Sequence, residues 1–291
     1  MRSSRNPTDS SSRAIGILLP VKQYRRDFLT KALNSVFRQS DPHWKLSIIV
    51  EKSDRHHFAE ILYGELQDPR IELIVNEGRR IGGALNTGMR LANSDFVSIL
   101  FADDMWASEA VAVLRRAIRK KTKTDFFHSS RIIIDETDRP ISSVHYSKKS
   151  FRLKDFENSS PVKHLLCWRR KMGLAVGGID ESHSHGPDDY DFPWTMAEAG
   201  ARFYAIQEPL YLYRDHRALY RLTTHIPLSN QKWALRKILQ KHRIEPHAIQ
   251  ARIAAAEQGY MRQCLFADAK DKEEKSKTGY NARLGWHDTY K

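Results

Sequence analysis

Two adjacent acids at the end of an apolar run are the first residues in this chain whose types and spacing could do chemistry. Phe96-Val97-Ser98-Ile99-Leu100-Phe101-Ala102 runs straight into Asp103-Asp104. Carboxylates at the C-terminal edge of a strand sit where open α/β sheets bind ligands. A hard divalent ion such as Mn2+ or Mg2+ takes oxygen ligands there, commonly one or two carboxylates together with substrate phosphates. Taken alone, the pair could equally cap the helix that follows. A second segment, Asn76-Glu77-Gly78-Arg79-Arg80-Ile81-Gly82-Gly83-Ala84-Leu85-Asn86-Thr87-Gly88, follows a strand and opens a helix. Glycines allow a ligand close to the backbone, and a helix start flanked by two arginines favours a diphosphate. A third, Gly186-Pro187-Asp188-Asp189-Tyr190-Asp191, sets three acids at an expected helix start behind His183 and His185. A carboxylate fixed in that way could deprotonate an acceptor hydroxyl. A fourth, Tyr211-Leu212-Tyr213-Arg214-Asp215-His216, ends a strand with Arg and His that could face a phosphate or a metal.

The elements needed to hold these groups are legible as an α/β pattern, short apolar runs alternating with helical periodicity. Strands are expected at Ile15 to Leu19, Leu46 to Val50, Ile71 to Val75, Phe96 to Phe101 and Phe126 to Ile134. Helices are expected through Phe28 to Phe37, Ile81 to Ala92 and Ser108 to Arg119. Beyond a turn at Asp138-Arg139-Pro140, the charged stretch Lys148 to Asn158 reads as a mobile lid. Val162 to Trp168 suggests a short helix, Gly173 to Gly178 a tight loop, and Asp189 to Gly200 a helix. Phe203 to Ile206 and Leu210 to Tyr213 read as a closing pair of strands around Glu208-Pro209, followed by amphipathic helices at Asn230 to His242 and Pro246 to Ala267.

In this order and spacing the segments resemble family 2 of the glycosyltransferases, the inverting group with the GT-A fold. The similarity spans about Ile15 to His216. It starts at Leu19-Pro20-Val21 and at Leu33-Asn34-Ser35-Val36-Phe37-Arg38-Gln39, and it takes in Gly82 to Gly88 and the acids at Asp103. It closes through Gly177-Gly178-Ile179-Asp180-Glu181, Asp188 to Asp191 and Glu208 to His216. The resemblance implies a Rossmann-like nucleotide-binding half fused to an acceptor-binding half over a mixed, mostly parallel sheet, with a C-terminal helical extension. The boundaries fall at a disordered leader over 1–13, a nucleotide-sugar half over 14–135, an acceptor half over 136–217, and a basic helical extension with a disordered end over 218–291.

The same resemblance implies a nucleoside-diphosphate-sugar donor, with uridine as the expected base, and Mn2+ or Mg2+ as cofactor. Asp103 matches the metal-ligating acid of the family's Asp-x-Asp motif, with Asp104 beside the metal or donor sugar; the motif's first acid aligns with Phe101. Asp189 matches the general base, Asp188 the acid that orients acceptor or donor sugar, and His216 the histidine that approaches metal and diphosphate. Pro20, Val21, Glu51, Arg80, Gly82 and Asn86 complete the expected donor contacts. Where the family usually reads Asp-Asp-Gly-Ser, this chain has Glu51-Lys52-Ser53-Asp54.

Composition narrows the alternatives. The chain has 291 residues, two cysteines and a formal charge of +13. Cys167 and Cys264 lack the spacing of a thiolate metal site or a disulfide framework. No apolar run reaches the ~18 residues of a membrane span, so the expected place is the cytoplasm, with peripheral contact to the inner membrane face as an option. The charge concentrates in residues 217–291, which hold 15 Lys+Arg against 7 Asp+Glu. That end could meet an anionic membrane, an acidic carrier or an acidic glycan, or be only a solvated basic surface; nucleic acid lacks a basic motif with interleaved aromatics. Neither a dinucleotide fingerprint nor a phosphate-loop motif occurs. A nucleotidyltransferase would need a glycine-rich basic loop after the first strand, where Pro20-Val21-Lys22-Gln23-Tyr24 stands. The remaining alternative is a degenerate sugar-nucleotide-binding or scaffold protein.

Overall fold

A computed structural model describes residues 14–183, 186–216, 226–259 and 261. The expected leader over 1–13, His185 and the tail beyond Met261 lie outside the described residues. Eight strands form one sheet: β1 Ile15–Val21, β2 Trp44–Val50, β3 Ile71–Val75, β4 Phe96–Ile99, β5 Met105–Trp106, β6 Phe126–Ile134, β7 Leu166–Arg169 and β8 Phe203–Arg214. Their order is β3-β2-β1-β4-β7-β6-β8-β5. β1 is parallel to β2 and β4, β2 to β3, and β6 to β8. Only β7 and β5 run against their neighbours, which makes the sheet mixed and mostly parallel.

Both faces of the sheet are covered, so its central strands read as unbroken apolar runs. Alternation still decides which face each side chain serves. Ile15, Ile17, Leu19 and Val21 of β1 join a core with helices α1 (Arg26–Phe37), α2 (Arg55–Ile61) and α4 (Ala110–Lys120). Leu18 points the other way with Val97 and Ile99, towards Ile81, Ala84, Leu85 and Met89 of α3 (Arg80–Leu91) and Phe192 and Met196 of α6 (Phe192–Glu198). A third core joins Leu235, Ile238 and Leu239 of α7 (Leu228–Lys241) and Ile249 and Ile253 of α8 (Pro246–Gln258) to Phe156 and Trp194. Through that core the C-terminal helices pack on the segments that carry Phe156 and Trp194.

Several expected elements differ. The expected helix over Val162 to Trp168 is strand β7, inserted antiparallel between β4 and β6; a short apolar run cannot declare its own period, and pairing on both edges decides it. β8 is one strand rather than two, because it absorbs Gln207 and Glu208 as an irregularity in its register with Ser129, Ser130 and Arg131. The expected lid is pinned. Phe156, fully buried, stacks on Trp194 at 5.7 Å, and Lys148 pairs with Asp155 at 2.7 Å. The glycine loop begins as a helix, α5 (Arg170–Ala175), and turns at Gly177 and Gly178.

Candidate active site

The groups expected to contact a donor lie along the C-terminal edge of β1, β2 and β4. Pro20 and Val21 pair with Ile49 and Val50, which brings the end of β1 beside Glu51 at the end of β2. Glu51 Oε1 accepts a hydrogen bond from Asn76 Nδ2 at 3.1 Å, joining β2 to the end of β3. Past β4 the chain turns through Phe101 to Asp103 and Asp104, and the two acids part company. Asp104 is 2% exposed and accepts from the Tyr211 hydroxyl and the Arg214 backbone N–H, both at 2.7 Å. Burial, reinforced by the charge of Asp103, pushes its carboxyl up to about 7. This acid is thus spent on holding β8, a correction to its expected place beside metal or sugar. Asp103 stays partly open, with Oδ2 3.1 Å from Nε2 of the buried His216. His216 packs against Phe28 at 5.0 Å, and its Nδ1 is buried with no partner.

Arg214 likewise serves the scaffold rather than a phosphate. Its Nε donates to the Asp103 carbonyl at 2.7 Å, its Nη1 pairs with Asp138 at 2.6 Å, and the guanidinium covers Phe28. The turn that carries Asp103 is therefore fixed from behind.

The glycine-rich segment is not built as expected either. A Cβ on Gly82 would lie 2.7 Å from the Asp180 carbonyl, so this glycine lets α3 dock on the 179–181 loop instead of admitting a ligand. Asn86 directs its amide to the same loop: Nδ2 donates to the Ile179 carbonyl and Glu181 Oε1, and Oδ1 accepts from the Ile179 N–H. Arg80, at φ 57°, donates through Nη1 to the Glu181 carbonyl at 2.8 Å. Two motifs far apart in sequence thus form one clip, and Gly82 and Asn86 position it. An open cleft of about 620 Å³ remains beside it, lined by Glu77, Gly78, Arg79, Arg80, Glu181 and Ser182.

The third acidic segment is a wide turn, Pro187–Asp191, in which the Asp191 N–H reaches the Gly186 carbonyl at 2.9 Å. Gly186 enters it at φ 68°, a left-handed conformation that favours glycine. The expected helix begins only at Phe192. The three acids have different surroundings. Asp188 accepts from Nε2 of buried His164 at 3.1 Å. Asp191, fully buried, pairs with Lys241 at 2.6 Å and His242 at 3.0 Å. Ser160 Oγ donates to the Asp189 backbone carbonyl at 2.6 Å, but the Asp189 carboxylate receives no other side chain's hydrogen bond among the described residues. Burial, then the charge of Asp188, raises its carboxyl, while His164 and Arg131 hold the rise back. Burial alone would depress His164, but its bond to Asp188 and the charges of Asp188 and Asp189 outweigh it and raise the ring.

Asp103 and His216 offer one oxygen and one nitrogen donor, a set that Mn2+ accepts. With the unpartnered His216 Nδ1 behind them, these two residues fit the implied ion. A second grouping, Asp180, His183 and Asp191, brings donor atoms within 4.8 Å of one another. There the ammonium of Lys241 already neutralises Asp191 and would repel a dication.

Sequence reading missed His164, Lys241 and His242. His164 lies in a segment read as helix, and Lys241 and His242 end an amphipathic helix, where basic residues are ordinary. His242 stacks on Trp194 with centroids 4.0 Å apart and also pairs with Glu198 at 2.9 Å.

Comparison with known proteins agrees with this architecture. The model of the family described as Glycosyl transferase family 2 matches residues 17–172. A curated relative is the UDP-Glc:α-D-GlcNAc-diphosphoundecaprenol β-1,3-glucosyltransferase WfgD of Escherichia coli, 26% identical over 108 residues. That match takes in 37% of this chain and 42% of WfgD, less than half the relative's length. Among solved structures, S. aureus TarS 1-349 in complex with UDP-GlcNAc superposes with a TM-score of 0.63 at 14% identity, over 83% of this chain and 71% of TarS. The mannosyltransferase PcManGT from Pyrobaculum calidifontis, in complex with GDP-Man and Mn2+, gives 0.55 at 17% identity, over 92% and 76%. The sheet order, the acids at the end of β4 and the family match converge: this chain belongs to glycosyl transferase family 2 and has the GT-A fold.

Proposed function

We propose that the protein transfers a sugar from a UDP-sugar to an acceptor hydroxyl or amine, inverting the anomeric carbon, with Asp189 as general base. The observation that carries this reading is the difference among the three acids of one turn. Asp188 and Asp191 are each held by a cationic partner, whereas Asp189 is left without one, and burial raises its carboxyl above the ordinary carboxylate range. A base works best when its pKa approaches the working pH. The UDP-linked substrates named for WfgD and TarS support the donor class, and the diphosphoundecaprenol-linked acceptor of WfgD supports a lipid-linked glycan as an acceptor class.

Asp189 accepts the proton of the attacking group as its oxygen or nitrogen bonds to the anomeric carbon and the bond to the diphosphate breaks on the opposite face. Asp188, oriented by His164, fixes the turn beside the reacting hydroxyl. Asp103 and His216 would hold a divalent ion, and the chemistry it would supply is to offset the negative charge growing on the diphosphate. Pro20 and Val21 offer backbone, and Glu51 a carboxylate, to the nucleoside. No helix among the described residues is long and apolar enough to cross a membrane.

A degenerate binding protein is the rival, favoured by Phe101: where the motif's first acid aligns, its ring packs against His164 at 5.5 Å. Thermal stabilisation across nucleoside diphosphates and their sugars, with and without Mn2+, tests the donor site, because a ligand of the folded state raises its melting temperature. A metal-dependent rise with UDP followed by UDP release from one UDP-sugar supports the enzyme. Stabilisation without turnover of any sugar supports the rival.

A further inference from the structure

Around the base turn, cations outnumber the carboxylates they could serve. Asp188 is matched by His164. Two more cations stand nearby, Arg131 on β6 and Lys163 immediately before His164, both half-buried. Neither forms an ion pair with any carboxylate among the described residues. Arg131 Nε is sealed from solvent without a hydrogen-bond partner. Its guanidinium is set 4.9 Å above the Tyr213 ring, and its backbone exchanges bonds of 3.1 and 2.8 Å with His145. His145 Nε2 is also buried with no partner.

These groups feel one another. Burial and then the Arg131 charge hold the Lys163 ammonium below its ordinary value, with Asp189 opposing. Lys163 in turn helps depress the buried His128. Removing charge from water is unfavourable unless the charge is paired, and here three cationic side chains face the two carboxylates Asp188 and Asp189. Asp189 must stay able to take a proton, so it cannot be permanently spent on either Arg131 or Lys163.

We propose that Arg131 and Lys163 form an anion subsite for the acceptor, so that the molecule glycosylated carries a phosphate or carboxylate close to the group Asp189 deprotonates. The placement beside a base rests on the reading of Asp189 given above. A planar guanidinium fixed on an aromatic ring presents paired N–H donors to an oxyanion, and an ammonium adds a second point of charge. A neutral sugar would leave both cations uncompensated.

The test uses the full chain saturated with UDP and Mn2+, so that the donor diphosphate site is filled before inorganic phosphate is added. Phosphate should then raise the melting temperature further, and Arg131→Met and Lys163→Met should each remove that rise while keeping the rise caused by UDP and Mn2+. A phosphate response that survives in both variants means an adventitious ion only and overturns the proposal. In turnover, UDP release is compared with a hexose, its 1-phosphate, a hexuronic acid and a short-chain polyprenyl diphosphate hexose as acceptors. At least one anionic acceptor should show a KM about tenfold or more below that of the neutral hexose. That advantage should vanish in Lys163→Met with kcat largely kept, and the acceptor favoured says whether the anion is a sugar phosphate, a carboxylate or a lipid diphosphate. A wild-type chain indifferent to phosphate and to acceptor charge overturns the subsite. Asp189→Asn separates the two readings: it should stop turnover but keep the phosphate response, whereas normal turnover would refute the base and leave the phosphate arm to judge the subsite.

Discussion

The two acidic clusters of this protein solve one problem with different material. At the end of β4, Asp104 is withdrawn into the protein by Tyr211 and Arg214, and Asp103 is left facing outward. In the 187–191 turn, Asp188 and Asp191 are withdrawn by His164, Lys241 and His242, and Asp189 is left. In both, adjacent like charges are made tolerable by giving each withdrawn acid its own partner. The clusters differ in their support. The first hangs from the central sheet and from β8, whereas the second is held by His164 just before β7 and by the end of α7, which follows the sheet in sequence. The acid left towards solvent in the first cluster and the unpaired acid in the second are each defined by what has been done to their neighbours.

Breaking the free acid of the second cluster should have the largest effect. Asp189→Asn should lower transfer roughly 10⁴-fold, about 5 kcal/mol of barrier, while UDP with Mn2+ still raises the melting temperature. If nucleotide binding falls in step with turnover, the two clusters are not separable. Breaking a withdrawn acid should instead act on stability. Asp191→Ala leaves His242 with Glu198 alone and Lys241 with solvent, and should cost about 3 kcal/mol, read by denaturant unfolding; a loss below about 1 kcal/mol would mean the clasp is not held by charge. On the donor side, Asp103→Ala should lower turnover by an amount equivalent to about 3 kcal/mol and remove the Mn2+ dependence of UDP stabilisation. A chain that keeps full Mn2+ dependence would move the ion away from Asp103 and His216.

The smallest effect sharpens the contrast through pH. His128, on β6 and bonded to Ser147, is depressed by burial to about 4. Its neutral ring is the one the fold favours. The contribution is therefore whole above pH 6.5 and is lost as the pH falls from 6.5 towards 4. His128→Phe should flatten that segment of the stability curve by on the order of 2 kcal/mol. An unchanged curve would place the acid sensitivity elsewhere.

The donor half was largely readable because its strands are apolar runs with sharp ends; Ile71–Val75 and Phe126–Ile134 fall where their residues put them. The acceptor side was harder for physical reasons. Leu166–Arg169 is too short to show a period, and its partners β4 and β6 are about forty or more residues away in sequence. The charged stretch read as a lid hides two aromatic anchors, Phe156 and Phe151, whose value depends on the distant Trp194 and Phe203. At the site, residue type marked only the two acid clusters and the family resemblance singled out Asp103 and Asp189 within them, but nothing local distinguishes Asn86 as a clip from Asn86 as a ligand. The partners that settle it, Ile179 and Glu181, lie more than ninety positions on.

The stacking of His242 on Trp194, with both side chains around Asp191, also bears on how the protein is made. Chains fold from the N-terminus as they leave the ribosome, so the nucleotide half can assemble while the last helices are still being synthesised. The base turn lacks its fastening until His242 has emerged. The carboxylate of Asp191 would then stand without its two ion pairs until the end of α7 had been made.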